Sequence, residues 1–174
     1  MSKARLVVTV TAEDRPGVVE AVADVVAAQG GNWEESRMAR LGGRFAGILL
    51  VAVDEDRAAP LQAALPGLEA RGIRALVERT HEPASPEGWR QMRLELVGQD
   101  RSGIIRDISR ALAERGVNVE DLVTACEEAP MAGGELFRMS AALSCPPAVK
   151  PEDLRGLLEA IAHDLMVEVT LRDD

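Results

Sequence analysis

The sequence predicts an α+β protein of two tandem βαββαβ units with antiparallel sheets, over residues 1–80 and 91–174, joined by a linker at 81–90. Three observations carry this. Strand-like apolar runs and helix-spaced apolar sets follow one another in the order strand, helix, strand, strand, helix, strand. That order occurs twice. The stretch "AEDRPGVVEAVADVVAAQGGNWEE" at residues 12–35 is repeated in plan by "GQDRSGIIRDISRALAERGVNVED" at 98–121. Aligned without a gap from Asp14/Asp100 to Ser36/Leu122, the copies share seven identities in 23 positions: Asp14/Asp100, Arg15/Arg101, Gly17/Gly103, Ala27/Ala113, Gly30/Gly116, Asn32/Asn118 and Glu34/Glu120.

In the first copy, "LVVTVT" (6–11) is a β-branched run bounded by charge and reads as a strand, which "DRPG" stops. From Pro16 onward Val18, Val22, Val25 and Val26 recur at helical spacing. Proline suits a first helical turn because its missing N–H has no partner there anyway, and Gly30-Gly31 supplies the stop. "NWEESRMARLGGRFAGILLVAV" gives two strands about Gly42-Gly43, a hairpin signal. "PLQAALPGLEARG" is a weaker helix with Pro66 inside it, and "IRALVER" is the fourth strand.

The second copy opens on the strand "RQMRLELVG". Ile104, Ile105, Ile108 and Leu112 line one face of the following helix, and Gly116 ends it. "VNVEDLVTACEE" and "ELFRMSAALS" are strands joined by the longer loop "APMAGG". A helix with Leu154, Leu157, Leu158, Ile161 and Leu165 on its apolar side and the strand "MVEVTL" complete the unit. Between the copies, "THEPASPEG" is polar and holds two prolines, as a linker should.

Composition narrows the function. The 174 residues are 47% hydrophobic, enough for one ordinary domain or two small ones. The longest apolar run, "FAGILLVAV" at 45–53, is far short of the roughly 18 to 20 residues that span a bilayer. No signal-peptide pattern precedes the first strand, so a cytoplasmic location and no membrane contact are expected. A net charge of −9 with scattered Lys and Arg disfavours direct nucleic-acid binding. Aromatics are only 2% (Trp33, Phe45, Trp89, Phe137), so a base-stacking surface has nothing to be built from. Cys126 and Cys145 form no CxxC and have no His at metal spacing, so neither a metal nor another cofactor is expected. If the last two middle strands form a hairpin near Met131, Cys126 pairs close to Leu136 and Cys145 close to Asn118. The sulfurs are then on the order of 25 Å apart at about 3.3 Å per residue, and both thiols should be reduced.

The repeated turn is where chemistry is expected. A strand that ends in Asp-Arg-x-Gly and passes into a helix leaves the helix's first N–H groups unpaired. With the helix dipole they favour a carboxylate or phosphate by roughly 0.3 to 1 kcal/mol at an exposed site. Gly17 and Gly103 permit close approach of a ligand. Asp14 and Asp100 either accept from a ligand's ammonium group or cap the turn. Arg15 and Arg101 are ligand contacts or solvated loop charges. Asn32 and Asn118, just past the helix-ending glycine, either reach toward a ligand held at a facing unit or serve as left-handed helix caps. A small zwitterion suits the set.

These stretches resemble the ACT domain, the βαββαβ ferredoxin-like module that binds amino acids in regulated metabolic enzymes and regulators. Two such modules with "APMAGGELFRM" between the middle strands of the second resemble the glycine cleavage system transcriptional repressor family. That resemblance implies a non-enzymatic regulator that responds to glycine or serine and acts on a transcriptional activator. It places the ligand turns on Asp14, Arg15, Gly17 and Val18 and on Asp100, Arg101, Ser102, Gly103 and Ile104, with Asn32 and Asn118 as the facing positions. Pro16 departs from Ser102: proline removes an amide that serine keeps, so the second site should be the better anion binder.

Other readings are weaker on the residues. RNA-recognition modules of this topology need aromatics on the central strands, and "RLVVTVT" and "MRLELVG" have none. Metal carriers of this topology put CxxC in the first loop. An acylphosphatase-like hydrolase would use Arg15 or Arg101 with Asn32 or Asn118, but lacks here the usual glycine- and basic-rich first loop. No catalytic Ser-His-Asp or Cys-His set is evident; His81 falls in the linker and His163 on a helix surface. Within the binding class the rival is a free-standing regulatory subunit of an amino-acid metabolic enzyme. Exposed sheet edges lead us to expect self-association as a homo-oligomer.

Overall fold

The computed structural model describes residues 2–80, 87–128 and 134–173. Most of the expected linker, with His81, and the loop about Met131 lie outside these residues. The chain divides into two compact units, Met1–Pro83 and Ala84–Asp174. In the first, β1 (Lys3–Glu13), α1 (Val18–Ala28), β2 (Asn32–Leu41), β3 (Arg44–Asp54), α2 (Glu55–Ala64), a 3₁₀ segment (Leu65–Arg71) and β4 (Ile73–Thr80) follow in order. In the second come β5 (Arg90–Gln99), α3 (Ile104–Glu114), β6 (Asn118–Glu128), β7 (Glu135–Cys145), α4 (Pro151–Leu165) and β8 (Val167–Asp173). The sheets are β2-β3-β1-β4 and β6-β7-β5-β8, antiparallel throughout. The fold is the expected ferredoxin-like βαββαβ, twice.

Strand alternation sets the core. Ala4, Leu6, Val8, Val10 and Ala12 of β1 are all buried, as are Leu49, Val51 and Val53 of β3. Onto that face pack Val18, Val22 and Val26 of α1 with Leu61, Leu65 and Leu68. The second core repeats the plan with Met92, Leu94 and Leu96 under Ile104, Ile108, Leu112, Leu154 and Leu158. Each such side chain contributes roughly 1.5 to 3 kcal/mol on burial. The intervening strand residues point to the uncovered face. The edge strand β6 is exposed at every position.

Two expectations need correction in detail. The weaker helix starts at Glu55, so Pro60 is the proline inside it; Pro66 instead opens the 3₁₀ segment, where its missing N–H costs little. Cys126 faces Phe137 rather than Leu136, and Asn118 faces Ser144 rather than Cys145. The hairpin register sets Cys126 against Phe137, and a bulge between Val119 and Asp121, matched in the first copy by one between Trp33 and Glu35, moves Asn118 by one residue to Ser144.

Both cysteines are free, Cys126 exposed and Cys145 buried. Local desolvation, then the charges of Asp100 and Glu135, push the Cys126 thiol above its ordinary pKa. A thiol reagent should therefore modify one cysteine in the native protein, more slowly than a free thiol at the same pH, and two after denaturation. Two rapid equivalents in the native state would contradict the burial of Cys145.

Candidate functional site

The strand-to-helix turn is built alike in both units. Asp14 N–H donates to Gly43 O at 3.1 Å, and Asp100 N–H to Glu135 O at 2.9 Å, so the chain leaves the sheet at the same level of the neighbouring hairpin. Gly17 (φ 88°) and Gly103 (φ 101°) then take left-handed conformations as helix N-caps, which L side chains adopt only at a cost. The first helical bonds run from Ala21 N–H to Gly17 O and from Asp107 N–H to Gly103 O, each 3.0 Å. The amides of residues 18–20 and 104–106 lie ahead of them, and no side chain caps either helix. Val18 and Ile104 are buried and anchor the first helical turn in the core. Their backbone amides, rather than their side chains, belong to the site.

The charges around the two turns differ. A Cβ placed on Gly17 would lie 3.7 Å from Glu20 Oε2, whereas one on Gly103 would lie 3.2 Å from Arg106 Nη2. Arg106 is paired with Asp107 at 2.8 Å, and this hydrogen bond holds the Asp107 carboxyl below the usual carboxylate range. The first turn thus has a carboxylate beside its glycine, and the second a guanidinium together with its paired carboxylate, Asp107 Oδ2 lying 3.8 Å from the same point. Asp14 is engaged by Arg40 at 2.7 Å, while Asp100 makes no ion pair among the described residues. Ser102 is exposed at the mouth of the second turn.

Arg15 and Arg101 are neither free loop charges nor aimed at the helix N-terminus. Arg15 Nη2 donates to Arg71 O, the last residue of the 3₁₀ segment. Arg101 Nη1 donates to Leu165 O, the last residue of α4, at 3.2 Å. Each arginine ties the turn to the C-terminal end of the second helical element. There the carbonyls lack helical partners and the dipole is negative.

The asparagines sit elsewhere. Asn32 opens β2 opposite Ala52, which faces Arg5 of β1; Asn118 opposes Ser144, which faces Gln91 of β5. Along the strand each is about nine residues from the level of the turn, roughly 30 Å. Within one unit, then, the turn and the asparagine are at opposite ends of the sheet. They are not helix caps: Gly30 (φ 70°) and Gly116 (φ 68°) hold the left-handed positions. Both asparagines are exposed and hydrogen-bond to no other side chain among the described residues.

Residues 4–72 match the model of an ACT domain, and residues 92–141 match a second ACT-domain model. The chain belongs to the ACT-domain family. It is an ACT-domain regulatory protein in which two such modules occupy most of the length. A solved protein of unknown function from Galdieria sulphuraria is 30% identical, covers 99% of each chain and superposes with a TM-score of 0.84. A solved candidate glycine cleavage system transcriptional repressor is 18% identical with a TM-score of 0.69, over 99% of this chain and 98% of that one, and shows the same fold. A UPF0237 protein of Streptococcus mutans is 29% identical over 79 residues, 45% of this chain and 83% of its own length. Among the described residues no helix is long and apolar enough to cross a membrane.

The geometry also explains repeated residues of these ACT domains that periodicity left open. Glu34 and Glu120 occupy the bulges of β2 and β6. Glu34 pairs with Arg5 at 3.5 Å, and Glu120 accepts from the Gln91 amide at 3.3 Å, at the same level of the first strand. The arginine contact spans 56 and 64 residues of sequence, too far for any local pattern to reveal. A hint was the retention of Arg, rather than any polar residue, in both copies.

Replacing Arg101 with Ala should lower stability by about 0.5 to 1 kcal/mol, through loss of a charged donor at an exposed helix end. Arg15→Ala should do the same in the first domain. Met166, which follows Leu165, is the one non-glycine residue with positive φ (55°) among the described residues, at the position Gly72 fills in the first domain. Met166→Gly should accordingly raise stability by about 0.5 to 1 kcal/mol. Denaturant midpoints at unchanged slope would check all three; a neutral Arg101→Ala would show that the contact carries no weight.

Proposed function

We propose that this protein is a cytoplasmic, non-enzymatic regulator that senses a small amino acid, glycine or serine, and passes the signal on by contact with a partner protein. The observation that carries the reading is the pair of uncapped helix N-termini behind left-handed glycines at Gly17 and Gly103. Such a turn offers amide donors and a positive dipole end to a ligand carboxylate. The ammonium group would then face Asp100 in the second domain, whereas Asp14 is already neutralised by Arg40.

The second turn is the better anion binder in this reading. Ser102 keeps the amide that Pro16 lacks, and where the first domain has the lone carboxylate of Glu20 the second has Arg106 paired with Asp107, which leaves no net negative charge there. Asn32 and Asn118 lie at the far end of their own sheets and take no part in the site at their own unit's turn. A transcriptional activator is the proposed partner, in line with the fold shared with a candidate glycine cleavage system repressor. A ligand that binds one conformation of the protein better than another shifts their populations by its differential affinity and so presents the partner with a changed surface.

A thermal-shift titration of the full chain against glycine, serine and the other common amino acids tests this. At about 100 times its Kd a ligand adds roughly 2.7 kcal/mol to the folded state. The expected result is a saturable shift for glycine or serine that Gly103→Ala abolishes and Gly17→Ala reduces less. Absence of any shift from those two ligands, or an equal loss with both variants, would overturn the ligand or the ranking of the sites. Affinity capture then separates the partners: a transcription factor supports the proposal, and an amino-acid metabolic enzyme replaces it with the role of a regulatory subunit.

A further inference from the structure

The first domain carries a polar cleft of about 590 Å³ at the turn end of its sheet, lined by Glu13, Arg15, Arg44, Glu69, Gly72 and Arg74. It lies beside β4, at the ends of β1, β3 and the 3₁₀ segment, and none of residues 16–20 at the start of α1 lines it. Glu13 faces Arg44 in the strand register, and Arg74 faces Thr11. Three guanidiniums against two carboxylates leave one net positive charge. Neither Glu13 nor Arg44 makes an ion pair among the described residues. Arg74 and Glu69 approach only to 3.9 Å with side chains 77% and 74% exposed, a loose pair that a ligand can open at little cost. Arg15 is held by its bond to Arg71 O and retains the remaining donors of its planar fork.

In the second domain the equivalent positions carry different charges, and the cleft there, lined by Glu159, His163 and Glu168 among others, has no arginine in its lining. The positions of Glu13, Arg44 and Arg74 are taken by Gln99, Leu136 and Glu168, and those of Glu69 and Gly72 by His163 and Met166. Only Arg101 survives. A cationic cluster required for folding would be expected in both copies, since both make the same turn and the same arginine contact. This one is confined to the first.

We propose that the cleft is a site for a small α-amino dicarboxylate, distinct from the helix N-termini. Two carboxylates meet guanidiniums, which bind them in bidentate fashion. The ammonium group falls between Glu13 and Glu69. A ligand of net charge −1 balances the net +1 of the lining, and the volume is in the range of small-molecule sites.

Calorimetric titration of the full chain at low salt with L-aspartate, L-glutamate, succinate and glycine is the test. The site predicts saturable binding of L-aspartate or L-glutamate, weakened about tenfold or more by Arg44→Gln or Arg74→Gln. Both substitutions are of exposed residues, so folding is not at issue. Glu13→Gln should weaken the amino dicarboxylates but not succinate, which lacks the ammonium group, and Gly103→Ala should leave binding unchanged. No binding of either amino dicarboxylate, or binding unaltered in both arginine variants, overturns the inference. If binding is lost in Gly103→Ala instead, the ligand sits at the second turn; the inference fails and the sensor reading stands. Amino dicarboxylate binding without any response to glycine or serine sustains the inference and removes those ligands from the sensor.

Discussion

Each βα turn of this protein has to leave the sheet, reverse through a left-handed glycine and start a helix, while a second crossover element ends nearby. The guanidinium of Arg15 or Arg101 joins these two events, donating to the last carbonyl of the 3₁₀ segment or of α4. Without a partner that carbonyl would sit at the negative end of its element with only solvent to satisfy it. The contact holds the turn against the end of the second crossover, while the left-handed glycine and the backbone bond of Asp14 or Asp100 mark where the first helix begins. The position of Arg15 beside the polar cleft follows from it.

Duplication kept this framework and changed its electrostatics. Asp14 and Asp100 share a backbone bond to the neighbouring strand, yet only Asp14 is neutralised by an arginine. Glu20 beside the first glycine becomes the Arg106–Asp107 pair at the second. Arg44 and Arg74 become Leu136 and Glu168. Backbone geometry tolerates such exchanges because the residues are exposed and the turn is held by main-chain bonds and one arginine. Ligand preference does not tolerate them, since a charge within a few ångströms of a small ion decides its sign. Two copies of one scaffold can in this way carry different sites.

Much of the fold was legible in advance. Alternation in β1, helical spacing of Ile104, Ile108 and Leu112, and glycines at 30, 42, 43 and 116 are local signals, and the elements fall where they point. The boundaries that shifted did so for local reasons of another kind: Pro60 is accommodated inside α2, and the bulges at Glu34 and Glu120 offset the strand register by one. Neither leaves a periodic trace. The candidate site was less legible. Arg15 and Arg101 stood out as a repeated pair, but their repetition reflects a structural partner, and Asn32 and Asn118 proved to be strand residues at the far end of the sheet.

By itself the sequence determined the order of elements, the buried faces and the positions of the turns, because these depend on the chemistry of a residue and its near neighbours. The tertiary structure alone decided what the repeated polar residues touch. The Arg15 contact spans 56 residues and the Arg101 contact 64, and the cleft collects Glu13, Arg44, Glu69 and Arg74 from separate elements. Such groupings arise from strand register and helix length together, and no short stretch of chain contains both.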